Sequence, residues 1–417
     1  MIQPESHPAL RRLLNPPVVF LLLVLAGYSL MALAPGFRQR LGLADGGLWF
    51  MDSYAVLAAN DAVRAGLDPF LPNPLDVFQR PHVYSRWWFV LGELGFSRRD
   101  NFLMGGSWVL LFAGAVMALL RPSTHAGAVW YALLVLSPPV QLAVLRASND
   151  LVIFVLLLAA VGLLGPAIWR LLLCAASLML ATGLKFYPIL ACGLFLLVRP
   201  PRRMLLAGGL AVLAAGLTLA SVWDDLRRAQ IPSPNHVHIF GAAIVFRDLG
   251  WSGPTALVTG VLVVAGLASL CVRRKWAANV METTGPEFES RAFLVGAAVL
   301  VGCFLAGISH AYRLVFVLLL APWLCRQCFA VEARRRVAAR VLSGLLLATL
   351  WADGLLCLGV NSLGRVDSPA ELGRWLLLGH ALTQPVVWAA MALLAGSLLA
   401  VVFQAGTDLR KSLRSPG

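Results

Sequence analysis

The sequence predicts an all-α polytopic membrane protein that forms one integral-membrane domain over residues 1–417. The chain is 59% hydrophobic and only 13% charged, whereas soluble domains contain about 25% charged residues. Its apolar residues also form long runs, and a membrane helix needs roughly 20 such residues. These two observations exclude a soluble enzyme and a disordered protein.

Uncharged runs predict most of the spans directly. They cover 13–37, 101–120, 122–145, 151–169, 204–223, 249–272, 292–312 and 375–407, and 341–360 adds one more span. Residues 292–325 would make a helix of about 51 Å, too long for a ~30 Å membrane core, so we divide them near Ser309 and His310. We divide 171–198 at 185–188 because Pro188 disfavours helix at the residue before it. The count is about twelve transmembrane helices.

Basic residues predict the orientation of these spans. With an even count, the Arg-dense segments 273–275 and 334–336 lie on the same side as both termini. The positive-inside rule makes that side cytoplasmic, so the long first loop, 36–100, and a second loop, 223–253, are extracytoplasmic. The chain has 31 Arg and only 3 Lys, a usage that fits a GC-rich bacterial genome. We therefore expect it in the bacterial inner membrane.

The net charge of +14 has a membrane explanation. Lys and Arg collect in the cytoplasmic loops of membrane proteins, and the sequence contains no helix-turn-helix, RNA-recognition or zinc-finger pattern. We expect membrane lipids as partners and no nucleic acid. The seven cysteines lie in or beside apolar segments, so no disulfide framework is indicated.

Ionisable residues at the span ends are the candidates for function, because charges at membrane depth are costly. Five fall on the predicted outer face: Asp52, Asp150, Lys185, His310 and Arg313. Each residue alone could also be a charged side chain at a helix end that extends to the lipid headgroups. Asp52 and Asp150 could also cap or stabilise the N-terminus of a helix. As a set, charged turns between short apolar runs suggest a recessed, water-filled cavity. A carboxylate facing several cations can take a proton from a nucleophile while the cations stabilise an anionic leaving group.

The first outer loop has a helical pattern of its own. Residues 52–65 carry apolar residues at 55, 56, 59, 62 and 63. This spacing is typical of an amphipathic helix that lies along a membrane surface.

Several short motifs share this predicted outer face. Asp52-Ser-Tyr54 and Gly66-Leu-Asp68-Pro69-Phe70 lie in the first loop, Asn149-Asp150 opens a span, and Gly183-Leu-Lys185-Phe-Tyr187-Pro188 and Tyr312-Arg313-Leu314 follow. In order and spacing these motifs resemble glycosyltransferase family 87, which is also catalogued as a domain of unknown function. They cover about the first half of the chain and one late span. Two positions depart from the family pattern: 84–88 replaces an aromatic-Pro-Pro stretch, and Phe70 replaces a common Tyr.

The resemblance implies a GT-C fold, a helical membrane bundle whose active site lies on the extracytoplasmic side. It further implies transfer of a mannose-like hexose from a polyprenyl phosphate donor to a lipid or glycan acceptor, with inversion at the sugar. The family's first-loop acid maps onto Asp52, which we expect to act as the general base.

The remaining candidates would act on the donor phosphate. The cations are Lys185 and Arg313, with Arg86 and Arg146 as lesser candidates. Guanidinium and ammonium groups suit phosphate, and His310 would hydrogen-bond the phosphate or orient Asp52. Further possible site residues are Asn149, Asp150 and Tyr312. Because cations can do the electrostatic work of a metal, we expect no cofactor and no obligatory divalent ion.

Two other functions remain open at this point. A flippase or transporter of lipid-linked sugars would use the same basic cavity without needing a base at Asp52. A different lipid-linked membrane enzyme, such as a phosphotransferase or acyltransferase, would need a His-x-x-x-x-Asp acyl site or a dense acidic metal site, and the sequence contains neither pattern.

Overall fold

A computed structural model describes residues 15–43, 47–198, 201–228, 238–276, 280, 287–363 and 369–414. Residues 1–14 and 415–417 at the two ends, 44–46 of the first predicted loop, 229–237 of the second and parts of the other connections lie outside this part of the chain. The helices are α1 (Pro16–Leu33), α2 (Pro35–Arg40), α3 (Met51–Arg64), α4 (Val90–Glu93), α5 (Asn101–Leu119), α6 (His125–Val135), α7 (Pro138–Leu145), α8 (Asn149–Leu163), α9 (Ile168–Leu184), α10 (Pro201–Ser221), α11 (Trp223–Arg228), α12 (Ile244–Asp248), α13 (Gly253–Arg273), α14 (Glu287–Leu305), α15 (Val317–Gln327), α16 (Ala333–Leu363) and α17 (Pro369–Arg414). Segments of 3₁₀ helix cover Arg86–Phe89, Arg98–Asp100, Tyr187–Leu197 and Ala311–Phe316.

The chain is an all-α, multi-pass membrane protein. Within the described residues, six helices are long and apolar enough to cross a membrane: Pro16–Leu33, Arg98–Leu119, Gly253–Arg273, Phe288–Leu305, Ala333–Asn361 and Leu377–Thr407. The pair α6 and α7, bent by 54°, makes a seventh if it counts as one span. Three shorter apolar helices are Asn149–Leu163, Ile168–Leu184 and Leu205–Ser221. A total of twelve spans stays a prediction.

Three apolar segments are broken, and two of the breaks were expected. Helix α9 ends at Leu184 and Lys185 is extended, as predicted for 171–198, and α14 ends at Leu305 before the predicted division of 292–325. The third break, at Ser137, was not expected: the chain is extended there and bends within the predicted span 122–145. Pro138 explains the bend, since proline disfavours helical backbone at the preceding residue.

Helix α3 occupies the predicted amphipathic segment of the first loop. Its apolar face, which includes Val56, Leu57 and Ala62, is buried, and the helix packs against α4, α5 and the 3₁₀ segment Arg86–Phe89. Packing against protein therefore accounts for the apolar spacing, and the expected position along the membrane surface stays a prediction.

Helix α8 is at the centre of the hydrophobic core. Leu151, Ile153, Phe154 and Leu157 are completely buried, and the helix packs between α5, α9 and α14. Its N-terminal residues are therefore fixed inside the protein.

A two-stranded antiparallel ribbon closes the turn after α14. Strand β1 (Ile239–Phe240) pairs with β2 (Ser309–His310), with Ile239 opposite His310. The amide of Ala242 donates to the carbonyl of Phe304 at 2.9 Å. The amide of Ala311 donates to the carbonyl of His238 at 2.7 Å. The second predicted loop thus holds the segment that carries His310.

Candidate active site

A cavity of about 280 Å³ lies where the ends of several helices meet the first loop. Six of the nine predicted site residues line it: Asp52, Arg146, Lys185, His310, Tyr312 and Arg313. Four further polar residues complete its wall: Arg80, His82, Tyr84 and Tyr187. We call this space the Asp52 cavity.

Separate elements deliver these side chains to one place. Asp52 lies in the first turn of α3, Arg146 follows α7, Lys185 follows α9, and His310 belongs to β2. The amide of Asp52 donates to the carbonyl of Arg146 at 2.9 Å, which ties the start of α3 to the end of α7. The indole of Trp88 donates to the carbonyl of Leu184 at 3.1 Å and ties the first loop to the end of α9.

One oxygen of Asp52 is paired, and the other is buried without a hydrogen-bond partner among the described residues. Nε and Nη2 of Arg146 donate to its Oδ1 at 3.0 and 2.6 Å, while its Oδ2 accepts no hydrogen bond from the described residues. Burial raises the pKa of Asp52, but Arg146, Lys185 and His310 together lower it below the usual value. The carboxylate is therefore ionised at neutral pH and keeps lone pairs available for a proton.

Lys185 forms an ion pair with Asp150, which does not line the Asp52 cavity. Its Nζ lies 2.7 Å from Oδ1 of Asp150, which also accepts a hydrogen bond from the hydroxyl of Tyr187. The rings of Tyr84, Tyr312 and Tyr187 lie 5.1, 5.5 and 5.8 Å from the same Nζ. An ammonium at this range over aromatic faces is stabilised by cation–π attraction. Asp150 and the three rings thus fix the position of the Lys185 ammonium in the cavity wall.

Asp150 and Asn149 lie behind the cavity wall. Both are fully buried in the first turn of α8, and neither lines the Asp52 cavity. The N-cap of α8 is Ser148, whose hydroxyl accepts from the amide of Asp150 at 3.4 Å. Asp150 therefore acts on the site through Lys185 and Tyr187, and it is not itself the helix cap.

Arg313 is the cavity cation most available to an anion. Its Nη1 donates to the hydroxyl of Ser309 at 2.7 Å, and its guanidinium lies 5.1 Å from the centre of the Tyr187 ring. Within the described part of the chain no carboxylate pairs with it, and its Nε has no hydrogen-bond partner. By contrast, Arg80 is paired with Asp76 at 2.8 Å.

His310 forms no hydrogen bond with Asp52 among the described residues, and its expected role in orienting that carboxylate stays a prediction. Its ring stacks on that of Tyr312 with centroids 5.0 Å apart, and no described contact joins it to the carboxylate, which Arg146 holds instead. Burial lowers the pKa of His310 to about 4, with the neighbouring cations acting in the same direction and Asp52 opposing them. A neutral imidazole at pH 7 can donate or accept one hydrogen bond at each nitrogen according to its tautomer.

Arg86 is not brought to the cavity. Its backbone amide donates to Oδ2 of Asp225 at 2.8 Å, and its Nη2 donates to Oδ1 at 2.9 Å. Asp225 belongs to α11 in the second predicted loop. The expected role of Arg86 at the phosphate is therefore replaced by a link between the two outer loops.

Sequence reasoning missed part of the cavity wall. Tyr187 could have been predicted, because it is a polar aromatic residue two positions after Lys185 in an otherwise apolar segment. Arg80, His82 and Tyr84 lie in an irregular stretch between α3 and the 3₁₀ segment Arg86–Phe89, where no periodicity predicts which side chains face inward.

No group of three or more His, Cys, Asp or Glu side chains suited to a metal ion occurs in the described ranges. Comparisons with protein-family models, curated proteins and solved structures find no match to this chain. The resemblance to glycosyltransferase family 87 and the absence of a metal requirement both stay predictions. The Asp52 cavity itself is therefore the feature that bears on function.

Proposed function

We propose that the protein is a membrane glycosyltransferase that moves a hexose from a polyprenyl phosphate donor to a lipid or glycan acceptor at the Asp52 cavity. The observation that supports this function best is a carboxylate with one unpaired oxygen in the same cavity as Arg313, which has no carboxylate partner among the described residues. A base and an anion-binding group facing one space are what an acid–base displacement of a phosphate requires.

The chemical step assigns one role to each group. Oδ2 of Asp52 takes the proton from the acceptor hydroxyl while the hydroxyl oxygen forms a bond to the anomeric carbon. The bond from that carbon to the phosphate oxygen breaks, and its electron pair leaves with the lipid phosphate. Attack on the face opposite the leaving group inverts the anomeric centre.

Charge stabilisation falls mainly to Arg313. Its guanidinium can donate two parallel hydrogen bonds to phosphate oxygens, and Lys185 adds a fixed positive charge nearby. Arg146 keeps Asp52 ionised and oriented. The tyrosine rings form an apolar wall with a few convergent polar groups, a composition typical of small-molecule sites.

Substitution of Asp52 by Asn tests the base. The amide keeps the size of the carboxylate and an oxygen for Arg146 but cannot take a proton. We would incubate purified wild type and Asp52→Asn in detergent with radiolabelled polyprenyl phosphate mannose and a lipid extract of the source cells. Loss of a general base reduces turnover about 10²–10⁴-fold, and we expect a loss in this range.

A matched variant separates this effect from a change in loop charge. Asp68→Asn removes a carboxylate from the same loop, and that side chain is 44% exposed and only loosely paired with Arg228 at 3.5 Å. It should transfer label like wild type. Near-normal transfer by Asp52→Asn would rule out the base. If wild type binds the donor but transfers nothing, whatever the extract, the flippase or transporter is favoured.

A further inference from the structure

A second cavity, of about 620 Å³, lies among α13, α16 and α17. Its lining includes Arg274, Lys275, Arg334, Trp276, Val337 and Leu393, and we call it the Arg334 cleft. None of these residues belongs to the Asp52 cavity, and the proposed glycosyl transfer does not use them.

The Arg334 cleft lies at the opposite end of the helices from the Asp52 cavity. Helix α14 ends at Leu305, four residues before the strand that carries His310, and α13 and α16 present their Arg-rich ends near the start of α14 and the end of α15. A helix of the length of α14 spans about 28 Å, close to the ~30 Å thickness of a membrane core. The positive-inside rule predicts that the Arg334 cleft is on the cytoplasmic side.

Three cations in the cleft have no partner in the described part of the chain. The side chains of Arg274, Lys275 and Arg334 are exposed, and none forms an ion pair or a hydrogen bond there. Neighbouring cations differ: Arg335 pairs with Glu332 at 2.8 Å and Arg340 donates to the carbonyl of Cys328 at 3.2 Å. Among the described residues that line the cleft, none is acidic.

The rest of the lining is apolar. Leu393 of α17 is buried at 7% exposure, whereas Val337 and Trp276 are 58% and 59% exposed. Helix α17 packs along both α13 and α16, which leaves an apolar groove beneath the cations. Tryptophan is enriched at membrane interfaces because its ring is apolar and its N–H is polar.

We propose that the Arg334 cleft binds an anionic phospholipid. The headgroup phosphate contacts Arg274, Lys275 and Arg334, and an acyl chain lies along Val337 toward Leu393. Basic pockets between transmembrane helices on the cytoplasmic side suit anionic lipid headgroups, and the inner leaflet supplies such lipids. A free phosphate would satisfy the cations but leave the apolar groove uncovered.

The test measures lipid binding and does not depend on glycosyl transfer. Delipidated full-length protein would be titrated with phosphatidylglycerol or with phosphatidylcholine of the same acyl chains, and bound lipid counted by native mass spectrometry. The variant is R274Q/K275Q/R334Q. The control, R121Q/R273Q/R410Q, removes the same charge from residues that do not line the cleft.

Wild type should prefer phosphatidylglycerol, and the cleft variant should lose roughly a hundredfold in affinity, because each cation contributes about fivefold. The control should change only a few-fold, and millimolar inorganic phosphate should not displace the lipid. Equal binding of both lipids, an unaffected cleft variant, an equal loss in the control, or displacement by phosphate would each overturn the proposal. If the triple variant elutes as an aggregate, Arg334→Gln alone should still show the fivefold loss, and its absence would overturn the proposal equally.

Discussion

Asp52 lines the Asp52 cavity and Asp150 lies behind its wall, and the surroundings of these two buried aspartates give them different roles. One oxygen of Asp150 accepts from both Lys185 and Tyr187, and the residue lies outside the cavity lining. Oδ1 of Asp52 accepts from Arg146, while its Oδ2 has no hydrogen-bond partner among the described residues. Oδ2 of Asp150 is likewise without a hydrogen-bond partner among the described residues, so what distinguishes Asp52 is its place in the cavity lining.

Arg146 sets the pH range in which Asp52 can act. Burial alone raises the pKa of Asp52, and Arg146 is the largest of the influences that lower it. A base works above its pKa and is lost as the pH falls through it, so the acidic limb of wild-type kcat/KM should lie below the usual pKa range of an aspartate. In Arg146→Gln the raising effect of burial on the pKa of Asp52 loses its main opposition, and we expect the acidic limb to move to higher pH, measured as the pH profile of kcat/KM.

The conservative variant provides the control for this prediction. Arg146→Lys keeps the positive charge beside Asp52 and should keep the acidic limb near its wild-type position. An unchanged limb in Arg146→Gln, in a variant that still folds, would mean that Asp52 is not the group whose ionisation controls the rate.

At the level of elements, the site depends on short turns between helices. His310, Tyr312 and Arg313 all follow the end of α14, and the β1–β2 ribbon fixes this turn. Gly241, directly after β1, approaches the turn so closely that an added Cβ would overlap the carbonyl oxygen of Gly307. Backbone atoms on both sides leave little room for adjustment.

Gly241→Ala should therefore displace the turn and disturb the Asp52 cavity. Forcing an extra methyl group into a packed interior costs about 1–3 kcal/mol, so we expect a lower thermal midpoint in detergent and at least tenfold slower transfer. Gly266→Ala is the matched control, because nothing lies within 4 Å of a Cβ added at that position of α13. Equal behaviour of the two variants would show that the ribbon does not position the site.

At the level of the whole molecule, the sequence predicted where charged side chains gather better than how they pair. Lys185, His310 and Arg313 could be found because they interrupt apolar runs. The pairing of Arg146 with Asp52 spans 94 residues, and that of Arg86 with Asp225 spans 139, so neither follows from local spacing. The environment of α3 was also undetermined, because a buried protein face and a membrane surface require the same apolar spacing.

The orientation of the whole molecule can be tested with one cysteine on each side. Leu71, in the first loop, is 60% exposed, and Val331, between α15 and α16, is 98% exposed. In a variant without its native cysteines, Leu71→Cys should react with a membrane-impermeant maleimide in intact spheroplasts, whereas Val331→Cys should react only after permeabilisation. The physical reason is that Arg334, Arg335 and Arg336 follow Val331, and such clusters are retained in the cytoplasm. Denatured samples give the total labelling of each variant. The reverse pattern would put the Asp52 cavity in the cytoplasm and the Arg334 cleft outside, where the inner-leaflet lipids proposed for it are not available.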